Sequence, residues 1–209
     1  MATDVPLMLL FALYVRDASG LRPQREPAIP ELEPAVLGPV GAAPVDPAAS
    51  KQWDEWWHQL LEGGGIWPEH IDARDFARVR RDPDIAKLYY WPLQFAIPDF
   101  RGLDGRPELQ ALVRSHYRAA FDWGSARKYE LEAVERTRSR AGLEWEIVRA
   151  TERALGRPAR AFKLDLRLLP VAGNYVWRSS EDRALMSFGM YTDRAAYESW
   201  LAGVVRELA

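Results

Sequence analysis

The chain has 209 residues, 48% of them apolar, and its 28 basic side chains nearly balance 30 acidic ones to leave a formal charge of −2. That length is enough for one domain with a sizeable core, and the balance leaves no global positive excess of the kind that nonspecific nucleic-acid binding requires. Cysteine is absent, which excludes disulfides, thiol nucleophiles and cysteine-based metal sites and fits a reducing cytoplasm.

The first element is an apolar run from Val5 to Val15. Asp4 precedes it where a secretory signal would carry positive charge, and no stretch reaches the roughly 20 apolar residues that span a membrane. The expectation is a soluble, cytoplasmic protein whose first run is a buried strand. Residues 20–50 follow as a proline-rich arm, carrying seven of the 15 prolines. Proline removes amide donors and fixes φ, so neither a regular helix nor a central strand is expected. Ile29, Leu32, Val36, Leu37 and Val40 set this arm apart from a plain linker. It reads as an extended segment draped over a single α+β domain of residues 1–209, with a disordered tether as the alternative.

In SKQWDEWWHQLLEGGG, residues 50–65, three tryptophans precede three glycines. Ser50 reads as the N-cap and Gly63–Gly65 as the stop. Trp53, Trp56, Trp57, Leu60 and Leu61 recur at helical spacing and fall within an arc of about 140°. Each buried tryptophan removes about 150–250 Å² from water, worth roughly 4–6 kcal/mol gross. Core packing is favoured for Trp53, Trp56 and Trp57; a partner-binding face is the other reading, and makes these three the candidate partner-binding residues.

Short helices are expected in IDARDFARVRR, capped by Asp72, and in DPDIAKLYYWP, capped by Asp82 with Pro83 at its first position. PLQFAIPDFRGLDG reads as an irregular connection. Pro107 starts a firmer helix with Leu109, Leu112, Val113, His116, Tyr117 and Ala120 on one face and Gly124 beyond its end. Another helix is expected from Ser125, with a strand over KYELEAVE as the alternative. Gly142 divides it from LEWEIVRATERALG, whose inner stripe reads Leu143, Ile147, Val148, Thr151, Ala154 and Leu155.

Near the C-terminus, RAFKLDLRLLPV alternates through Phe162, Leu164, Leu166 and Leu168. AGN is a turn, YVWRS a second strand, SEDR another turn and ALMSFGMYT a third strand. Two turns of this length imply an antiparallel meander. Asp193 caps a last helix striped by Ala196, Tyr197, Trp200, Leu201, Val204, Val205 and Leu208. The expected fold class is α+β: an antiparallel sheet of about four strands, three from the meander and one from Val5–Val15, packed by several helices.

Catalytic signatures are sparse. The histidines are His58, His70 and His116. His58 falls on the polar side of the tryptophan helix and His116 on an apolar stripe, where a hydrogen-bonded core histidine is the commoner role. His70 stands near Glu69, Asp72 and Asp75, but nearest-neighbour spacing without HExxH gives no metal site. GxSxG, GxxxxGK[ST] and GxGxxG are missing, and Gly63–Gly65 follow a helix C-terminus, whose negative dipole end opposes anions. Arginine supplies 24 of the 28 basic residues, a usage that accompanies GC-rich bacterial genomes. The runs Arg78, Arg80, Arg81 and Arg136, Arg138, Arg140 are interleaved with acids, as solvated helical faces are.

The composition therefore favours a noncatalytic protein that binds another protein, as an adaptor, an immunity- or antitoxin-type inhibitor or an assembly component. No cofactor, metal, nucleic acid or membrane partner is expected. The alternative is an enzyme or small-ligand protein with a pocket between the sheet and the Trp-rich helices, in which His116, Tyr117 and His70 are the candidate catalytic groups.

Overall fold

The computed structural model describes residues 1–25, 27–38, 46–62, 100–139 and 142–208. The expected helices around Asp72 and Asp82, the expected connection up to residue 99, His70, the Arg78–Arg81 run and Gly63–Gly65 lie outside them. Among the described residues the elements are β1 (Ala2–Asp4), α1 (Leu7–Ala18), α2 (Pro47–Glu62), a 3-10 turn (Arg101–Leu103), α3 (Pro107–Ser139), α4 (Leu143–Leu155), β2 (Asp165–Leu169), β3 (Val176–Ser180), β4 (Arg183–Ser187), α5 (Phe188–Thr192) and α6 (Arg194–Leu208). None of these helices is long and apolar enough to cross a membrane. The chain divides into two compact units, one of residues 1–14, 26–36 and 121–209 and one of residues 15–25 and 37–120.

The first unit holds the whole sheet, in the order β1-β2-β4-β3. β1, β2 and β4 are mutually parallel, and β3 runs antiparallel at the edge beside β4. The sheet is thus mixed and mostly parallel, a correction to the expected antiparallel meander. The strand positions match the alternating pattern, but the order of neighbours does not. Residues 170–175 step over one strand position, roughly 10 Å at sheet spacing and within the reach of so short a link. The hairpin at 180–183 then returns β4 into the gap. Leu32 of the arm forms an antiparallel bridge with Val171, supported by Glu33 N–H to Pro170 O at 2.8 Å and Ala172 N–H to Glu31 O at 2.9 Å. Leu32 is 2% exposed, so this stretch of the arm is docked on the sheet's connection.

The Val5–Val15 run is a helix, not a strand. The strand that joins the sheet, parallel to β2, is Ala2–Asp4, which precedes the run. Pro6 opens the helix by accepting from Leu9 and Leu10 N–H at 2.9 and 3.2 Å. Leu, Met, Phe and Ala dominate where β-branched residues would favour a strand. Leu9 to Leu13 are each 3% exposed or less, as in a helix apolar all round.

Two further corrections concern glycine and serine. α3 continues through Gly124 to Ser139. A Cβ at Gly124 would meet Leu7 Cδ1 at 3.0 Å and Leu10 Cβ at 3.5 Å, so this glycine permits close approach of α1 rather than ending a helix. The third strand stops at Ser187, which N-caps α5 instead. Ser187 Oγ accepts from Met190 N–H at 3.1 Å and Tyr175 N–H at 3.0 Å, and donates to Gly173 O at 2.6 Å.

α4 and α6 pack together, and α6 places Tyr197, Leu201, Val204, Val205 and Leu208 inside. Asp193 caps it through Ala196 N–H at 3.1 Å. This bond and that from Asn174 hold the Asp193 carboxyl below its ordinary value. The register sets Asp4 beside Arg167 and Asp165 beside Arg183 on one sheet face. Arg167 is 3% exposed. Burial and then the Arg183 charge push its guanidinium down, and Asp165 and Asp4 offset this in part.

In the second unit α1 ends on Gly20, at φ 66°. Gly20 N–H donates to Asp17 O at 3.1 Å and Leu21 N–H to Arg16 O at 2.9 Å, the pairing of a left-handed helix stop. The chain then runs along α2, with Arg22 N–H donating to Ser50 Oγ at 3.1 Å and Gln24 N–H to Asp54 Oδ2 at 3.0 Å. Ser50 therefore sits inside α2 rather than capping it. The cap is Asp46, whose Oδ1 accepts from Ala48 N–H at 2.8 Å, with Pro47 at the first helical position.

Candidate functional site

The three tryptophans of α2 face inward. Trp53, Trp56 and Trp57 are 1%, 1% and 2% exposed, so they offer another molecule no surface in this conformation. Trp53 and Trp57 stack at 5.2 Å with ring planes 9° apart, and the Arg16 guanidinium lies 6.0 Å from the Trp53 ring. Gln52 on the adjoining face accepts from Leu109 N–H at 3.0 Å and donates to Glu108.

Of the candidate catalytic groups, His116 and Tyr117 are half-buried on α3. Successive helical residues diverge by about 100°, and the Tyr117 ring turns to Phe100 at 5.2 Å. Burial holds His116 below its ordinary pKa of 6.5, which suits a neutral imidazole packed in an interior. His58 is half-exposed on α2. Among the described residues no group of three or more His, Cys, Asp or Glu is placed to hold a metal ion.

Exposed aromatic side chains lie elsewhere: Phe121 and Tyr129 on α3, and Trp145 on α4. Gly142 (φ 63°) opens this helix and Gly156 (φ 68°) closes it, the Gly156 N–H reaching Arg153 O. Leu143, Ile147 and Thr151 form the buried stripe, with Thr151 Oγ donating to Ile147 O at 2.9 Å. The stripe is narrower than the pattern suggests, for Ala154 and Leu155 are exposed. Opposite it stands Trp145, 62% exposed, with the Arg149 guanidinium 4.6 Å from its ring. At helical spacing Arg149, Glu152 and Arg153 share its arc, flanked by Val148 and Leu155. Glu152 is engaged by Ala159 N–H at 3.0 Å. Neither Arg149 nor Arg153 has an ion-pair partner among the described residues; Arg153 Nε donates to Arg149 O. The face is thus an indole under one unneutralised guanidinium and beside another. A tryptophan on the polar side of an amphipathic pattern is a signal that the sequence carried.

A second feature lies in the other unit. A cleft of about 580 Å³ is lined by Gly20, Arg22, Gln24, Arg25, Pro47, Ser50, Lys51 and Asp54.

No protein-family profile matches the chain, and no curated protein or solved structure is similar to it.

Proposed function

We infer that this is a noncatalytic binding protein that docks through the outer face of α4 onto an acidic surface of another protein. The observation that carries this reading is Trp145, 62% exposed beneath Arg149. Covering that indole removes about 150 Å² from water, worth roughly 4 kcal/mol gross. Tryptophan and arginine are also the residue types that dominate interface energetics. Arg149 and Arg153 add positive charge that a carboxylate-bearing partner neutralises, with Val148 and Leu155 supplying an apolar margin. The buried Trp53, Trp56 and Trp57 then belong to the interior, and His116 and Tyr117 to the packing of α3.

The test places a photo-crosslinking amino acid at position 145 and, as a control, at the exposed Lys163, and irradiates both proteins in extract of the native host. The expected result is one dominant adduct specific to position 145, mapping to a carboxylate-rich peptide and lost at high salt. Arg149→Gln with Arg153→Gln should diminish it at least tenfold. Identical adduct patterns from both positions would overturn the reading.

A further inference from the structure

We propose that the cleft between residues 20–25 and the first two turns of α2 binds a small, polar phosphate monoester. Pro47, Ser50, Lys51 and Asp54 form one wall at i, i+3, i+4 and i+7 of α2, and Gly20, Arg22, Gln24 and Arg25 form the other. The two walls are held in register by the bonds from Arg22 N–H to Ser50 and from Gln24 N–H to Asp54. Three cations, Arg22, Arg25 and Lys51, therefore open onto one concavity, and all three are exposed. None has an ion-pair partner among the described residues.

Among the described lining residues the one carboxylate, Asp54, is 7% exposed and is engaged by the Gln24 amide. Those residues thus carry a net charge of about +2 in a chain whose own charge is −2. Like charges gathered in a concave site raise the local potential and draw in anions.

The chemistry narrows the ligand further. Two guanidiniums and an ammonium suit the three oxygens and double charge of a phosphate better than a single carboxylate. A volume of about 580 Å³ lies in the range for whole small molecules, roughly 300–1,000 Å³, so the ligand has a body beyond its phosphate. Gln24 and Ser50 make that body polar, and Gly20 leaves room for it. Arg22, Arg25 and Lys51 line a single cleft, an arrangement that suits a compact ligand.

Calorimetric titration with ribose 5-phosphate, and with inorganic pyrophosphate as a second probe, tests this at constant ionic strength. The expected result is saturable one-to-one binding. Arg25→Gln and Lys51→Gln should each weaken it at least about fivefold, the effect of one unit charge near 4 Å from another in water, and Lys163→Gln should leave it unchanged. These positions are exposed, so the variants should keep the wild-type circular dichroism and melting temperature. Heats that never saturate, affinity indifferent to Arg25 and Lys51, or binding seen only as co-sedimentation with phosphatidate vesicles would each overturn the proposal.

Discussion

Replacing Ser187 with alanine removes one oxygen that serves three backbone groups. Ser187 is 0% exposed, and its Oγ accepts from Met190 and Tyr175 N–H while donating to Gly173 O. The Met190 bond is an N-cap, worth about 1 kcal/mol. The other two tie the 170–175 link to the end of β4, each contributing about 0.5–1.5 kcal/mol net, with more lost where a buried donor is stranded. Ser187→Ala should therefore destabilise by about 2–4 kcal/mol. Urea unfolding followed by circular dichroism reads this as a lower midpoint at unchanged slope. Ser199→Ala, on the exposed side of α6, serves as control and should stay within about 0.5 kcal/mol of wild type. A Ser187→Ala loss no larger than the control's would refute the claim that this hydroxyl holds the step from β2 to the sheet edge.

Two other perturbations follow from the second unit. Trp53→Ala empties the space of a stacked, buried indole and should cost about 3–5 kcal/mol, read as a lower melting temperature; a change under about 1 kcal/mol would contradict its burial. His116 supplies a pH dependence. Its folded pKa lies below the ordinary 6.5 because burial disfavours the charged form, so below that value the unfolded chain binds more protons and stability falls with falling pH. His116→Gln should flatten the urea midpoint between 6.5 and the lower folded value, and an unchanged slope would count against the burial.

Local chemistry was the legible part of this sequence. Asp193 and the stripe from Tyr197 to Leu208 gave the last helix, because a cap and a 3.6-residue period are local signals. Gly142 divided α3 from α4 for the same reason, through its left-handed backbone. The strand at 165–169 shows in its alternation and that at 176–180 in the turns that flank it, but their order does not, since the step over β4 involves contacts from Leu32 and Ser187. The helix in the run from Val5 to Val15 is not legible, because a segment apolar on every side carries no period, and helix and strand then look alike. Gly124 was read as a stop, although its role is set by Leu7 and Leu10, far away in sequence. For the candidate site, the place of Trp145 opposite Ile147 and Thr151 follows from spacing alone, whereas the burial of the α2 tryptophans depends on tertiary packing.

The central claim is that, among the described residues, an exposed indole stands on α4 while the three of α2 are buried. Fluorine NMR of protein labelled with 5-fluorotryptophan, its resonances assigned by single Trp→Phe substitutions, measures this directly when a soluble paramagnetic agent is added. The Trp145 resonance should broaden strongly while those of Trp53, Trp56 and Trp57 stay sharp. Broadening of the α2 resonances with a protected Trp145 would contradict the account and return the binding face to the tryptophan helix.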